Sequence, residues 1–298
     1  MSVIETHGIT KIYGRNVIVN DLSLSLERGQ IMGLIGPNGA GKTTTIRMIM
    51  DIIKPDSGKV LILDKPMDAD AQNHIGYLPE ERGLYRKQKI IDSLVYLASL
   101  KGMNPSAARV RALELLEKVG LLAHAEKKIE QLSHGMGQLV QLVSTIIHDP
   151  ALMIIDEPFN GLDPVNVQLV KDLMMELRSQ NKSLILSTHR MNEVEEMCDR
   201  VCMLNKGQQV LYGNLADIKN RYRSNTLEVD YDGEFPRLDK ISDLQAKNGK
   251  AHIILNGSNT TQDVLVQLVN SGLVIHRFEV ATPTLNDIFI SIAGKKNV

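Results

Sequence analysis

The sequence contains few aromatic residues and few cysteines. It has no Trp, four Phe and seven Tyr in 298 residues, while 43% of its residues are apolar. Its hydrophobic core must therefore consist mainly of Leu, Ile, Val, Met and Ala. The two cysteines, Cys198 and Cys202, are too few for a disulfide framework or a four-Cys zinc site. We expect both to be buried as small apolar side chains in a reducing compartment.

An excess of charge and a long hydrophobic run are missing as well. The formal net charge is −1, which provides no electrostatic footprint for nucleic acid and no polybasic anchor for a membrane. No stretch reaches the ~18 apolar residues of a membrane-spanning helix, and the N-terminus has no basic-then-apolar signal segment. We therefore expect a soluble, cytoplasmic chain that does not bind nucleic acid.

Three short runs are apolar at nearly every position: residues 31–36, 151–156 and 183–188. Such runs are typical of strands that are covered on both faces, as in a parallel sheet. A helical pattern follows each run, and the second of these helices is predicted to begin with Asp163 as N-cap and Pro164 at its first position. Strands that alternate with helices predict an α/β fold.

Three other regions depart from this alternation. Residues 17–30 alternate apolar and polar side chains, which predicts an antiparallel strand, and residues 88–147 are helical throughout, which predicts an inserted helical subdomain. From about residue 223 a polar, turn-rich stretch is followed by strand, helix, strand and helix patterns. We predict a main domain at 1–222 and a small α+β domain at 223–298, joined near residues 223–226.

Residues 36–44, GPNGAGKTT, fit the phosphate-loop pattern and stand between an apolar strand and a helix. The glycines allow backbone N–H groups to surround phosphate oxygens, and the helix that follows directs its positive end at them. Lys42 is predicted to reach the β- and γ-phosphates and Thr43 to ligate Mg²⁺. The predicted binding residues are Gly36, Pro37, Asn38, Gly39, Ala40, Gly41, Lys42, Thr43 and Thr44.

Asp156 and Glu157 end the second apolar run, and His189 follows the third. Carboxylates at the ends of parallel strands lie at the edge where ligands bind in open α/β sheets. Asp156 is predicted to hold Mg²⁺ directly or through water, and Glu157 to orient and deprotonate an attacking water. His189 is predicted to contact the γ-phosphate or to position that water.

In their order and spacing these segments resemble the ATP-binding subunit of ABC transporters. The resemblance covers roughly residues 2–220 and implies a P-loop NTPase fold, ATP and Mg²⁺ as ligands, and ATP hydrolysis coupled to transport. It also implies that Tyr13 stacks on adenine and that Asp163 contacts nucleotide. The matching segments are the adenine-stacking segment (11–14), Walker A (36–44), the signature (132–138), Walker B (153–158), the D-loop (161–164) and the switch His (187–189).

The signature, LSHGMGQ, contains no acid or base for chemistry of its own. The resemblance implies that two cassettes pack head to tail, so that Ser133 and Gly135 of one cassette contact the γ-phosphate held by the other. That task needs a hydroxyl, bare backbone N–H groups and a helix N-terminus. The implied partners are a second cassette, identical or paralogous, and a separate membrane permease that holds the chain at the inner face of the cell membrane.

Residues 77–85 and 283–290 look like those of ATPase subunits from exporters of drugs, peptides or sodium. The C-terminal region is similar to an accessory domain of the same subgroup. Residues alone do not assign it a chemical role, and its apolar positions are typical of a core.

Two positions depart from the commonest family pattern. Glu80 stands where many members have a Gln that contacts Mg²⁺ and water, and Arg82 is a candidate counter-charge. Glu80 is either a metal ligand tuned for coupling to the membrane subunit or a solvated loop acid. His134 stands where Gly is usual: it either favours closure of the sandwich when protonated or faces outward.

Two alternative functions remain to be weighed. A soluble ABC-type ATPase that acts on nucleic acid or ribosomes would usually contain two cassettes, long heptad repeats or zinc modules, and this chain has none of these. A regulatory module without turnover would lack the Walker B glutamate or the switch histidine, but Glu157 and His189 are both present. The sequence favours an energy-coupling ATPase.

Overall fold

A computed structural model gives the fold of residues 2–80, 83–222, 226–239, 241–255 and 260–295. The chain divides into two compact units, Met1–Leu215 and Ala216–Val298. The predicted domain boundary after residue 222 stays a prediction. Arg82 and residues 223–225 of the predicted junction lie outside the described residues.

The first unit contains two sheets. Its described strands are β1 (Ser2–Tyr13), β2 (Asn16–Glu27), β3 (Ile31–Ile35), β4 (Ser57–Ile62), β5 (Lys65–Pro66), β6 (Ile75–Leu78), β7 (Leu152–Asp156), β8 (Ser183–Thr188), β9 (Arg200–Asn205) and β10 (Gln208–Asn214).

The larger sheet has the strand order β10-β9-β3-β8-β7-β6. β3 pairs in parallel with β8 and β9, β7 pairs in parallel with β8 and β6, and β10 is antiparallel to β9. Every residue of β3, β7 and β8 is buried, as expected for strands covered on both faces. The predicted α/β fold is confirmed, and the carboxyl ends of these three strands lie at one sheet edge.

The smaller sheet is antiparallel, with the order β2-β1-β4-β5. In β2, Leu22, Leu24 and Leu26 are buried, while the intervening Ser23 is exposed and Ser25 is half-buried. This alternation confirms the antiparallel strand predicted from residues 17–30, since successive side chains of a strand point to opposite faces.

The helices of the first unit include the predicted helical insertion, in which α3 (Ile90–Leu100), α4 (Pro105–Lys118) and α5 (His134–Ile146) pack on one another. Polar caps begin several of them: Asn104 accepts from Ser106 N at 2.9 Å, and Asp163 accepts from Asn166 N at 3.0 Å. The helices are α1 (Lys42–Ile49), α2 (Ala69–Asn73), α3 (Ile90–Leu100), α4 (Pro105–Lys118), α5 (His134–Ile146), α6 (Pro164–Ser179) and α7 (Met191–Met197).

The C-terminal region forms a four-stranded antiparallel sheet. Its strand order is β12 (Ile241–Lys247), β13 (Lys250–Leu255), β11 (Thr226–Asp232) and β14 (Val274–Val280). Its core includes Leu227, Val229, Ile253, Val264 and Leu268, all at most 1% exposed. The elements are α8 (Leu215–Arg221), β11 (Thr226–Asp232), β12 (Ile241–Lys247), β13 (Lys250–Leu255), α9 (Thr261–Asn270), β14 (Val274–Val280) and α10 (Leu285–Lys295).

The two strands and two helices predicted here from the sequence are present as β13, β14, α9 and α10, but β11 and β12 were not predicted. Residues 226–232 are polar on average, yet Leu227, Val229 and Tyr231 alternate with acidic residues and are buried. Alternation, rather than mean polarity, is the signal of a half-buried strand.

Cys198 and Cys202 are both buried, as predicted, and neither forms a disulfide. Burial raises the pKa of the Cys202 thiol to about 12 and raises that of Cys198 further. Among the described residues, none of the helices is long and apolar enough to cross a membrane.

Helix α9 supplies a matched pair of substitutions that tests the core of the second unit. Val264 is fully buried, whereas Val266 is 50% exposed. We expect Val264→Ala to lower the free energy of unfolding of this unit by about 2 kcal/mol, through lost burial and an unfilled cavity. Val266→Ala should change it by less than about 0.5 kcal/mol. Hydrogen exchange of the β13 amides measures both, and equal effects would contradict this packing.

Candidate functional site

The phosphate loop connects β3 to α1, and its glycines are required by close backbone contacts. Gly36 has φ +151°, and a Cβ on it would lie 2.2 Å from the carbonyl oxygen of Leu204. Gly41 has φ +103°, and its Cβ would lie 2.7 Å from the carbonyl oxygen of Ile18. A side chain at either position would force the loop away from the strands that support it.

Lys42 is the first residue of α1, and its side chain is folded into the loop. It is 8% exposed, and its Nζ donates to the carbonyl oxygens of Gly36 at 2.8 Å and Pro37 at 3.4 Å. A buried ammonium group held among carbonyl oxygens at a helix N-terminus is well placed to exchange these acceptors for phosphate oxygens.

Thr43 and Asp156 bring two hard oxygen ligands together. Thr43 Oγ1 donates to Asp156 Oδ2 at 3.4 Å, and Asp156 ends β7 with 2% exposure. Burial raises the pKa of Asp156, and the neighbouring carboxylates of Glu157 and Glu80 raise it further. This charge arrangement favours a cation.

The donor set fits Mg²⁺ bound together with a nucleotide. The described residues contain no group of three or more His, Cys, Asp or Glu arranged to hold a metal ion by themselves. Mg²⁺ commonly takes one or two protein oxygens and completes its shell with water and phosphate. Thr43 and Asp156 match that requirement.

Glu157 is buried and held by two neighbouring residues at the end of β8. Its side chain is 8% exposed and its φ is +49°, an unusual value for a residue other than glycine. Its Oε1 accepts from the backbone N of His189 at 3.1 Å and pairs with His189 Nδ1 at 2.8 Å, while Oε2 accepts from Thr188 Oγ1 at 3.3 Å. These contacts fix the carboxylate, whereas the His189 side chain remains 51% exposed.

These groups surround one cleft of about 650 Å³ in the first unit. It brings the phosphate loop together with the strand-end acids Asp156 and Glu157. Glu80 and His189 line the same cleft. Its lining residues are Ile18, Asn38, Gly39, Ala40, Gly41, Lys42, Thr43, Thr44, Glu80, Asp156, Glu157, Asn160 and His189.

Two of the lining residues, Ile18 and Asn160, were not predicted from the sequence. Asn160 follows Glu157 in the same turn, where its N donates to the Glu157 carbonyl oxygen at 3.3 Å, so extending the acid motif by one turn would have found it. Ile18 lies on β2, and no local pattern connects it to the loop.

Several predicted residues do not line this cleft. Gly36 and Pro37 are not among its lining residues, and their carbonyl oxygens accept from Lys42 Nζ. Tyr13, at the end of β1, is 50% exposed, with Lys11 Nζ 5.6 Å from its ring centroid. The remaining ones are Ser133, Gly135 and Asp163.

The two predicted residues of the signature and the one of the D-loop lie at helix N-termini. Ser133 is exposed and caps α5, where its Oγ accepts from Met136 N at 3.2 Å, and Gly135 lies in the first turn of that helix. Asp163 is exposed and caps α6; its hydrogen bonds from Asn166 lower its pKa. The cleft of a single chain is therefore built without them.

Both units match protein-family models. Residues 19–160 match the family described as ABC transporter. Residues 213–293 match the C-terminal domain described as that of the ATP-binding protein DrrA1-3-like group.

Known proteins and solved structures agree with these matches. The chain is 39% identical to the ABC transporter ATP-binding protein YhaQ of Bacillus subtilis over 96% of this chain and 97% of that protein. It is 32% identical to the Nod factor export ATP-binding protein I of Bradyrhizobium diazoefficiens over 98% of this chain and 97% of that protein. The solved ATP binding subunit of an ABC transporter superposes with a TM-score of 0.70 at 29% identity, covering 74% of this chain and 93% of its own.

The buried carboxylate of Asp156 should lower the stability of the chain without ligands. Because its pKa is raised in the folded state, the unfolded chain releases this proton at lower pH, and the ionised form costs stability as pH rises through the folded pKa. We expect Asp156→Asn to raise the melting temperature at pH 7 in the absence of Mg²⁺ and nucleotide. This gain should shrink as pH falls through the raised folded pKa and vanish well below about 4, where the carboxyl group is protonated in both states.

Asp163→Asn is the matched control for this measurement. Asp163 is exposed and its pKa is lowered, and asparagine is an equally good N-cap. We expect no gain in melting temperature at pH 7 from this variant. A gain as large as that of Asp156→Asn would show that removal of any negative charge suffices.

Proposed function

This chain belongs to the ATP-binding proteins of ABC transporters, and from that premise we propose that it hydrolyses ATP as one half of a two-cassette sandwich that drives a separate exporter permease. It is an ATPase whose relatives include a subunit named for export. The sandwich, the permease and the residue roles below are our proposals.

The observation that carries the proposal is the geometry of Glu157. This carboxylate is buried, accepts from Thr188 and His189, and lies at the cleft that Lys42, Thr43 and Asp156 also line. A general base must be held within reach of the water it deprotonates, and phosphoryl transfer is catalysed mainly by positioning and by charge stabilisation. Glu157 is the group in this cleft that meets both requirements.

The phosphate side of the cleft supplies positive groups. The loop amides and Lys42 bind the β- and γ-phosphates, and Thr43 and Asp156 hold Mg²⁺, which when bound neutralises phosphate charge. Tyr13 supplies an exposed ring for adenine to stack on.

His189 orients Glu157 rather than acting as a base itself. When its Nδ1 proton is directed at the ionised Glu157, the other ring nitrogen donates to a γ-phosphate oxygen only if the imidazole is doubly protonated. A neutral ring instead presents an acceptor that helps to align the attacking water. The short contact to Glu157 is compatible with both roles that the sequence predicts.

The exposure of Ser133 and its position outside the cleft support a sandwich. Its hydroxyl and the N-terminus of α5 are available to a phosphate held by another chain, where they stabilise negative charge without titrating. We assign Ser133, Gly135 and Asp163 to the partner-facing surface, so that a complete site contains residues from two cassettes.

The remaining partner is a membrane permease, which places the chain at the inner face of the cell membrane. The match of the second unit to a DrrA1-3-like C-terminal domain and the relative named for Nod factor export support an export system. An action on nucleic acid or ribosomes has no support among the relatives reported above.

Glu80 is proposed as a further Mg²⁺ ligand that senses the permease. It is exposed, lines the cleft, and is one of the acids that raise the pKa of Asp156. A carboxylate at this position adds negative charge to the metal site, which the bound cation offsets.

Glu157→Gln tests the proposed chemistry. The amide retains the size of the side chain but cannot accept a proton, so we expect ATP turnover to fall roughly a hundredfold or more while ATP binding is kept. Turnover by phosphate release and binding of a fluorescent ATP analogue measure the two properties. Glu117→Gln, an exposed change on α4, is the control. Undiminished turnover in the Glu157 variant would contradict the assignment.

A further inference from the structure

The first turn of α5 packs directly on the turn that follows Glu157. A Cβ placed on Gly161 would lie 2.4 Å from Nδ1 and 2.5 Å from Cε1 of His134, so the imidazole covers the Gly161 backbone. A Cβ on Gly135 would lie 3.4 Å from Leu162 Cδ2 and 3.6 Å from the carbonyl oxygen of Gly161. We call residues 158–162 the post-glutamate turn.

A second contact joins the two segments one helical turn farther along. Gln138 is 4% exposed, and its Nε2 donates to the carbonyl oxygen of Pro158 at 3.4 Å. His134 and Gln138 are four residues apart and therefore lie on the same face of α5. That face is the one that contacts the post-glutamate turn.

The post-glutamate turn is held by two backbone hydrogen bonds and by a buried aromatic side chain. Asn160 N donates to the Glu157 carbonyl oxygen and Leu162 N to the Phe159 carbonyl oxygen, both at 3.3 Å. Phe159 is 2% exposed, and Gly161 has φ +73°. These two hydrogen bonds link the segment around Gly161 to Glu157.

We infer that His134 is a positioning residue that couples the signature of a chain to Glu157 of the same chain. This inference rests on the proposed sandwich, in which the neighbouring Ser133 contacts the nucleotide of the partner. Contact of Ser133 with that nucleotide then sets the position of α5. Because the His134 ring packs on the Gly161 backbone, a shift of α5 moves the post-glutamate turn and with it Glu157. The effect of His134 is confined to its own chain, whereas the direct contact of Ser133 is with the partner's site.

Mixed pairs of differently tagged copies separate the effect of His134 on its own chain from the effect of Ser133 on the partner's site. One copy carries Glu157→Gln and is catalytically silent, so all turnover comes from the Glu157 of the other copy. In the reference pair this active copy is otherwise unchanged. His134→Ala is then placed either on the active copy or on the silent copy; alanine retains the helix, being its best former.

We expect His134→Ala on the active copy to lower kcat for ATP about fivefold or more, the lower end of typical coupling between sites. Its KM should stay within about twofold, since ATP binding does not involve this contact. The same change on the silent copy should leave kcat within about twofold of the reference pair. An equal loss in both arrangements, or a loss only on the silent copy, would overturn the inference.

His134→Phe on the active copy is the conservative variant, because a planar ring can still cover Gly161. We expect it to restore kcat to within about twofold of the reference pair. No recovery with Phe would contradict a packing role for the imidazole.

Ser133→Ala in the same two arrangements tests the proposed function separately. It should lower turnover more on the silent copy, where it removes a contact to the nucleotide of the active copy, than on the active copy, where it acts only through the coupling to Glu157. This order is the reverse of that expected for His134→Ala. Loss of this reversed pattern would reject the sandwich itself, whereas a normal Ser133 pattern with a symmetric His134 effect would reject only the coupling.

Discussion

The hydrogen bonds that hold the Glu157 carboxylate depend on β7 and β8 ending side by side at one edge of a parallel sheet. Glu157 directly follows β7, and the two residues that hold it, Thr188 and His189, stand at the end of β8. The positive φ of Glu157 costs about 1–3 kcal/mol, as is common for strained residues at functional sites. The buried strands β7 and β8 hold this conformation, so the position of the Glu157 carboxylate depends on the packing of the sheet.

The same sheet edge concentrates negative charge beside the phosphate loop. Asp156, Glu157 and Glu80 line the cleft together with Lys42, and burial makes the ionised form of Asp156 costly. A bound cation would offset these charges. In the proposed function, Mg²⁺ and nucleotide therefore stabilise the cleft together.

The signature contributes to function in a different way from the strand-end acids. Ser133 is exposed and caps α5, whereas Glu157 is buried at the cleft. The contacts of His134 and Gln138 with residues 158–162 connect these two groups within one chain. In the proposed sandwich, nucleotide bound at one site therefore affects the position of Glu157 at the other site.

The sequence by itself determined the parallel sheet, the helical insertion and the phosphate loop, because apolar runs, helical periodicity and glycine spacing are local patterns. The tertiary structure alone decided that Ile18 lines the cleft, that β11 pairs with both β13 and β14, and that His134 covers Gly161. Each of these depends on which residues meet across long separations in the chain. Local patterns specify elements, whereas contacts between elements are selected by packing and by the room that a missing Cβ leaves.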